Sequence, residues 1–535
     1  MMRSQEGQRG SARRRKVAAA AIWMGVGATA TYAQEATPGG ARRSGAEAPA
    51  APDDSAPAPE EPSNFHVSGY VRTWASFNLQ NVPETPQNDR WDASMLRGSI
   101  MLDADWKTGP LTWKAVGRAD REVETGYMRR LQNEVRTNSP GGPGSDMRDL
   151  YNQVQLREFY ADFSPIDRVK MRLGKQQVVW GESDFFQAMD VVQGYDYRWR
   201  FFLEREGDEL RKSLIMANAK IDVPEANGSL QVLFRPGWDK GADIGNTYDL
   251  SGGRWALQPN KGIDLLSPGF LRNDYHHPDA DIKDPTGGLR WTGDLGSLNY
   301  SLAWLRTFNN DPIVNSAFAQ DEKTPSGQIG DFIHPKVDLF GLTTNGYVQP
   351  IDAVLSTEIT YTKDAPYNIG TNFLGGALPG FDGIKKKNVV KSMFRVDKNL
   401  NLQPWLGTSR PSFFSVQVFD TWIQSFKKSD DLVELAGFGA PVKEHTTLLT
   451  VILGLNYSND KINPGLAMGT DLSNGGGFVS PSVDFSWGDH WRFKVEGDFF
   501  FAHGQKQPGQ VEEDTHLFGY LAHNDQLMFR LTRQF

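Results

Sequence analysis

The residues with most chemistry to offer crowd into one stretch, Arg157 to Lys212. It runs L-R-E-F-Y-A-D-F, a turn, then V-K-M-R-L-G-K-Q-Q-V-V-W-G-E-S, and ends in Y-D-Y-R-W-R-F-F-L-E-R-E-G-D-E-L-R-K. Rings, guanidinium groups and carboxylates side by side suit the recognition of small amphipathic solutes, the rings by apolar contact and the charges by orientation. Catalytic spacing is missing: there is no Gly-x-Ser-x-Gly, no His-Glu-x-x-His, and no carboxylate pair standing apart from the general charge. A triad assembled from distant strands stays open as a reading, because such sites share geometry and not chain order. Asp274 to Asp284, D-Y-H-H-P-D-A-D-I-K-D, brings nitrogen and oxygen ligands together, but it reads more simply as a hydrophilic loop. No metal or cofactor is expected. S-N-G-G-G (Ser473 to Gly477) lacks the Lys and the strand–helix setting of a phosphate loop and reads as a turn.

The composition narrows the classes. A net charge of −8 without a basic stripe argues against nucleic-acid binding. The absence of cysteine removes disulfides, thiolate metal sites, cysteine nucleophiles and a lipidated amino-terminal cysteine. Mean hydropathy is −0.50, and outside the amino terminus no apolar run is long enough for a spanning helix. A transmembrane barrel meets both conditions, because half of each strand and all of its loops are polar.

The elements that must position these residues are strands. In the last stretch, Leu527, Phe529, Leu531 and Phe535 alternate with Gln526, Met528, Arg530, Thr532 and Gln534. Alternate side chains of an extended strand point to opposite faces. The pattern returns throughout, cleanest in Trp491, Phe493, Val495, Gly497, Phe499 and Phe501 against Arg492, Lys494, Glu496 and Asp498. Charges opposite a continuous apolar face require water on one side and oil on the other. Strands are expected near 65–79, 94–106, 111–122, 155–163, 168–180, 213–223, 228–236, 286–293, 297–308, 338–348, 351–363, 387–397, 411–426, 443–457, 461–472, 478–487, 491–503 and 520–535. Every second connection is short (K-T-G-P, S-P-I-D, D-L-G, Q-P, G-D-H) and most of the others are long. Two depart from that rhythm: 398–410 is long for a turn, and S-N-G-G-G is short for a loop. The fold class is therefore all-β, a transmembrane antiparallel barrel of about 18 strands, with 16 the alternative. Trp106, Trp113, Tyr300, Tyr457, Trp487, Trp491 and Phe535 gather outward at the short-turn end, as an interfacial aromatic girdle does.

Residues 1–33 read as a signal peptide, with Arg13, Arg14, Arg15 and Lys16 before a short apolar run. Residues 34–63, rich in Ala and Pro, read as a disordered periplasmic tail, and 64–535 as the barrel. The chain is expected in a Gram-negative outer membrane, in contact with its lipid and lipopolysaccharide, with Phe535 offered to the barrel-assembly machinery.

On these parities Arg72, Arg97, Arg118 and Arg172 form a basic ladder in the lumen, partly offset by Asp103, Asp105, Asp120 and Glu158, with Gln176 facing inward beside them. The loop after that strand carries Trp180, Glu182, Tyr197, Trp199, Phe201 and Phe202. It is too aromatic to be merely solvated, so it is expected to fold into the mouth as a constriction. Phe185 and Phe186 would add apolar contacts, with Arg198, Arg200, Glu204 and Arg205 as polar guides.

L-R-E-F-Y-A-D-F followed by L-G-K-Q-Q-V-V-W-G-E-S resembles the motif of a proteobacterial outer-membrane family catalogued as a domain of unknown function. The later F-R-V-D-K-N-L-N-L-Q-P-W-L-G-T-S-R-P-S-F-F-S-V-Q-V-F resembles its strand–turn–strand segment. Lys175 stands where that family's pattern usually has Arg, and Arg395 to Asn399 replace a Gly-Leu-Asp-Arg-Pro-like run. The family is often associated with RND-type exporters and a LolB-like protein, so the resemblance implies movement of hydrophobic or lipid-like molecules and possible periplasmic partners. It carries over no catalytic residue. Three functions are thus expected in this order: a porin-like channel for amphipathic or hydrophobic small molecules, the outer-membrane partner of an RND-linked transport system, and a barrel-embedded hydrolase.

Overall fold

The computed structural model describes residues 64–81, 87–138, 145–204, 207–256, 261–264, 284–315, 332–370, 380, 382–434, 440–502 and 516–535. The expected signal peptide and tail, residues 274–283 of the candidate metal loop, and Arg205 lie outside them.

Eighteen antiparallel strands close on themselves. They are β1 Phe65–Asn78, β2 Ala93–Thr108, β3 Leu111–Glu122, β4 Gln153–Ile166, β5 Val169–Gln176, β6 Leu214–Val223, β7 Gly228–Arg235, β8 Thr286–Leu295 and β9 Leu298–Phe308. The second half comprises β10 Lys336–Val348, β11 Ala353–Ile369, β12 Gly383–Leu400, β13 Ser412–Ile423, β14 His445–Gly454, β15 Ile462–Asp471, β16 Gly477–Trp487, β17 Trp491–Phe501 and β18 Gln526–Gln534. Each pairs with its chain neighbour, and β18 returns to β1 in a register from Tyr70↔Gln534 to Asn78↔Gln526. Gly69 and Phe535 exchange backbone hydrogen bonds of 3.0 and 3.1 Å beyond that ladder, so the seam leaves no open edge. The short strands Leu432–Glu434 and Ala440–Pro441 join the same sheet but extend the external end of β11.

The outward face is apolar along its length. Val71, Ile100, Leu102, Leu156, Leu302 and Phe340 are all exposed, and Val154 keeps 72% of its surface open. A face of this extent is stable only against lipid. The girdle sits where expected: Trp106 stacks on Trp113 with ring centroids 6.0 Å apart, while Trp487, Trp491 and Phe535 are exposed at the same end. Two indole N–H groups find partners there, Trp113 donating to Thr108 Oγ1 at 2.7 Å and Trp291 to the Tyr300 hydroxyl at 3.1 Å.

Both irregular connections have local causes. Between β12 and β13 the turn coils into a four-residue helix, Gln403–Leu406, closed by Gly407 at φ +66°, a left-handed conformation that glycine adopts without strain. Between β15 and β16, Asp471 Oδ1 accepts the backbone N–H groups of Ser473 and Asn474 at 2.9 and 2.8 Å, an Asx turn that needs few residues.

The inward face departs from the simple alternation. Near the short-turn end it is polar, with Asp103, Asp105, Lys114 and Arg172. Near the loop end Met216, Leu233, Leu305, Met393, Phe419 and Phe478 face inward and are buried. Something other than water fills that half of the lumen.

Candidate functional site

The filling comes from the connection between β5 and β6, residues 177–213, with Ile244, Tyr248 and Trp255 of the β7–β8 connection packed into the same clusters. Strand β5 stops at Gln176, before the expected boundary, because the chain leaves the wall there. A bulge in β4 prepares the departure: Val116 opposes Glu158 and Gly117 opposes Leu156, leaving Arg157 as the extra residue. Arg157 Nη2 reaches the carbonyl of Arg211 at 3.0 Å, and Glu158 Oε1 accepts the N–H of Gln177 at 2.9 Å. Both ends of the connection are thereby held by adjacent residues of one strand.

A ladder of amides fixes the first limb. Asn218 Nδ2 donates to Gln176 Oε1 at 3.1 Å, Gln231 Nε2 to Asn218 Oδ1 at 3.0 Å, and the Trp180 indole N–H to Gln231 Oε1 at 2.9 Å. Trp180 is 1% exposed, packed with Val178, Met189 and Val192 against the inward side chains of β6, β7, β9 and β10. It is wall packing and does not line an opening. Past it the chain runs along the adjoining wall, from β10 to β13. Glu358 of β11 accepts the N–H of Glu182 and, at 2.8 Å, that of Met189. Asn345 of β10 donates to Glu182 Oε2 at 2.7 Å, and Arg395 of β12 donates to the Glu182 carbonyl at 2.6 Å. Gln417 of β13 accepts the N–H of Asp184 at 3.0 Å and donates back to Asp184 Oδ2 at 3.2 Å.

The return limb is aromatic. Phe186 packs on Phe419 and Phe202, Phe202 on Phe478 at 4.9 Å, and Tyr197 between Tyr195, Phe201 and Tyr248. Trp199 meets Trp74 of β1 edge-on at 5.4 Å, with the Arg97 guanidinium 4.1 Å over its ring. Such pairs are each worth about 0.5–1.5 kcal/mol beyond the area they bury. Tyr197, Phe201 and Phe202 lie together, and Trp199 sits apart from them on the β1 side.

The charges of the return limb are anchors. Arg200, 1% exposed, is paired to Glu496 and Asp498 of β17 and, at 2.6 Å, to Glu204. Glu209 takes Arg72 at 2.8 Å and Arg118 at 3.1 Å. Burial pushes the Glu209 carboxyl up, but the two guanidiniums outweigh it and hold it below the ordinary glutamate range. Arg198 is spent on Asp196 at 2.6 Å. The sequence-derived ladder is likewise spoken for. Arg97 pairs with Asp120 at 3.1 Å, Arg118 with Asp120 at 3.0 Å, and Arg172 with Asp162 through two 2.8 Å bonds. Lys114 bridges Asp103 at 2.9 Å and Asp105 at 3.6 Å. Through Arg72 and Arg118 the ladder ties the wall to the loop at Glu209.

A cavity of about 260 Å³ remains on the loop, walled by Phe186, Tyr197, Phe202, Tyr248 and Phe419, with Lys391 of β12 and Glu434 among its polar lining. Sequence reasoning did not reach Glu358, Arg395, Gln417, Glu496 and Asp498 as anchors, nor Lys391 and Glu434. The doubled apolar runs Phe499-Phe500-Phe501, Val451-Ile452-Leu453 and Trp304-Leu305 were the available signal that the inner face is also covered.

A family model described as Protein of unknown function (DUF1302) matches residues 87–535. The chain belongs to that family. Its two resembling segments meet in the lumen, the first supplying Glu182, with Asp184 directly after its end, and the second Arg395 and Gln417. No curated protein sequence matches the chain. Among solved structures it is similar to Salmonella typhi OmpF in complex with daunomycin, at 7% identity over 88% of this chain and 97% of that one, TM-score 0.39. It is also similar to Acinetobacter baumannii OccAB3, at 7% identity over 88% and 99%, TM-score 0.44. A third is Pseudomonas aeruginosa OpdK with vanillate, at 9% identity over 88% and 98%, TM-score 0.41.

Proposed function

We propose that the protein is a porin-like outer-membrane channel for small amphipathic molecules, with no chemistry of its own, and that loop 177–213 is its size filter. The observation that carries this reading is the aromatic-walled cavity of about 260 Å³ on a loop hydrogen-bonded to opposite walls of the lumen. Its volume lies just below the roughly 300–1,000 Å³ of ordinary ligand pockets, which suits small solutes with an apolar part. Conductance of the purified chain in planar bilayers tests the reading, alongside liposome swelling with aromatic and aliphatic solutes. A barrel that neither conducts nor admits them ends it.

One observation favours the second reading, an outer-membrane partner of an RND-linked transport system. Trp405 is 85% exposed on the helix Gln403–Leu406, at the short-turn end that outer-membrane barrels present to the periplasm. Its turn is braced to the next by Arg410–Asp460 at 3.1 Å and by Asn456, so the ring is displayed from a fixed platform. A non-conducting barrel whose Trp405→Ala variant loses a co-purifying periplasmic protein would support that reading.

A further inference from the structure

The charged groups lining the aromatic cavity are unequally committed. Asp311 accepts the Tyr248 hydroxyl at 2.6 Å and Asn246 Nδ2 at 2.8 Å. Asp471 is absorbed by its own turn, Lys443 donates to the Ser473 carbonyl at 2.5 Å, and Asp420 holds Thr447 at 2.7 Å and His445 at 2.9 Å. Lys391 and Glu434 line the same cavity and its narrower extension towards β10 and β11, and neither makes a hydrogen bond or ion pair among the described residues. Glu434 reaches water, yet crowding within the mouth pushes its carboxyl up to about 7, with Asp311 adding to the push and Lys391 opposing it. One ammonium and one carboxylate therefore stand free at a pocket whose walls include the rings of Phe186, Tyr197, Phe202, Tyr248 and Phe419.

We propose that this pocket recognises a zwitterion bearing an apolar side chain, of the aromatic amino-acid type: Lys391 takes the ligand's carboxylate, Glu434 its ammonium, and Phe186, Tyr197, Phe202, Tyr248 and Phe419 its ring. This rests on the channel reading and names the solute class for it. The opposed charges match such a ligand in number and sign. A simple anion would leave Glu434 repelling it, and a simple cation would leave Lys391 doing so. The ring walls supply stacking and edge contacts that an aliphatic zwitterion would use less well.

Three probes separate these cases in equilibrium dialysis against the full chain in detergent at pH 8: phenylalanine, 3-phenylpropionate, which lacks the amine, and phenethylamine, which lacks the carboxylate. Phenylalanine is expected to bind about tenfold or more tighter than either analogue, a difference of about 1.4 kcal/mol. Lys391→Gln should lose about tenfold for phenylalanine and phenylpropionate and spare phenethylamine. Glu434→Gln should lose about tenfold for phenylalanine and phenethylamine and spare phenylpropionate. Both variants must keep the heat-modifiable gel mobility of the closed barrel. Equal affinity for all three probes, or charge variants that bind phenylalanine like the parent, would overturn the assignment. Conductance of the same preparations keeps the two readings apart. Conduction without phenylalanine binding sinks this inference alone, and binding without conduction supports the pocket and sinks the channel.

Discussion

Arg395 Nη1 donates to the backbone carbonyl of Glu182 at 2.6 Å, joining residues 213 positions apart within the lumen. The same guanidinium lies 3.2 Å from Asp184 Oδ2 and binds Asp397 through Nε at 2.8 Å, so one side chain ties the descending limb of the loop to β12. A hydrogen bond to a charged group contributes about 1.5–3 kcal/mol. Arg395→Ala is therefore expected to loosen residues 181–190 while the barrel stays closed. Hydrogen exchange should quicken in that segment alone, and conductance should become larger and noisier. A variant with unchanged exchange and current would show that the tie bears no strain of the loop.

The return limb has a stronger tether. Arg200 and Phe201 both sit at positive φ, +50° and +46°, a conformation non-glycine residues hold only when their surroundings impose it. What imposes it here is the burial of Arg200 among Glu204, Glu496 and Asp498. Removing the guanidinium leaves three buried carboxylates, Glu204, Glu496 and Asp498, with Lys494 and Arg530 left to balance them, a loss of about 3–5 kcal/mol. Arg200→Ala should release residues 197–204, detected as protease cleavage within the loop of the folded barrel. Arg200→Ala combined with Glu496→Gln should recover part of the protection, because fewer unpaired charges remain.

Acid should act through Glu209. It faces Arg72 and Tyr70 from β1, Arg118 and Asp120 from β3, and Arg157 from β4. Its folded value is depressed below that of the unfolded chain, about 4.3. The anchoring is complete above that value and is lost as pH falls through the depressed one. Currents should thus be steady from pH 7 to 5 and begin to fluctuate below about 4. Glu209→Gln should fluctuate at every pH, and salt should weaken the parent's resistance little because the pair is buried.

The contrast between these anchors and the strands explains how far the sequence was legible. All eighteen strands announce themselves, because lipid outside and polar groups inside force a period of two on each of them independently. The outward set Ile100, Leu102, Trp106 and the inward set Arg97, Asp103, Asp105 follow from local spacing alone. The inserted loop was readable from its aromatic density. Its seat was not, because whether Phe419 or Phe478 meets water or Phe186 and Phe202 depends on a segment more than two hundred residues away. Pairing such as Arg200 with Glu496 is a long-range event: alternation marks Glu496 as lumen-facing and aromatic density brings the Arg200 loop into the mouth, and neither says that the two meet. The Arg157 bulge was hidden for a related reason, since one extra residue looks like a lapse in alternation until the partner strand is known.

Glu358 offers the sharpest test of the loop's seat, because its role depends on acceptors and not on charge. Its two oxygens take two backbone N–H groups, Glu182 on one and Met189 on the other, where the chain doubles back at Gly181. A Cβ at Gly181 would lie 2.8 Å from the Asp190 nitrogen, which shows how closely the two limbs approach. Glu358→Gln preserves shape but turns one acceptor into an NH₂ group facing an N–H donor. It leaves a buried donor unsatisfied, at a cost of about 1–3 kcal/mol, and adds a repulsive contact. The near-isosteric Gln is therefore expected to accelerate amide exchange at Glu182 and Met189 tenfold or more. Glu358→Asp, which keeps two acceptors at shorter reach, should do so less. Equal effects of Gln and Asp would mean that side-chain length, and not acceptor number, holds the loop in place.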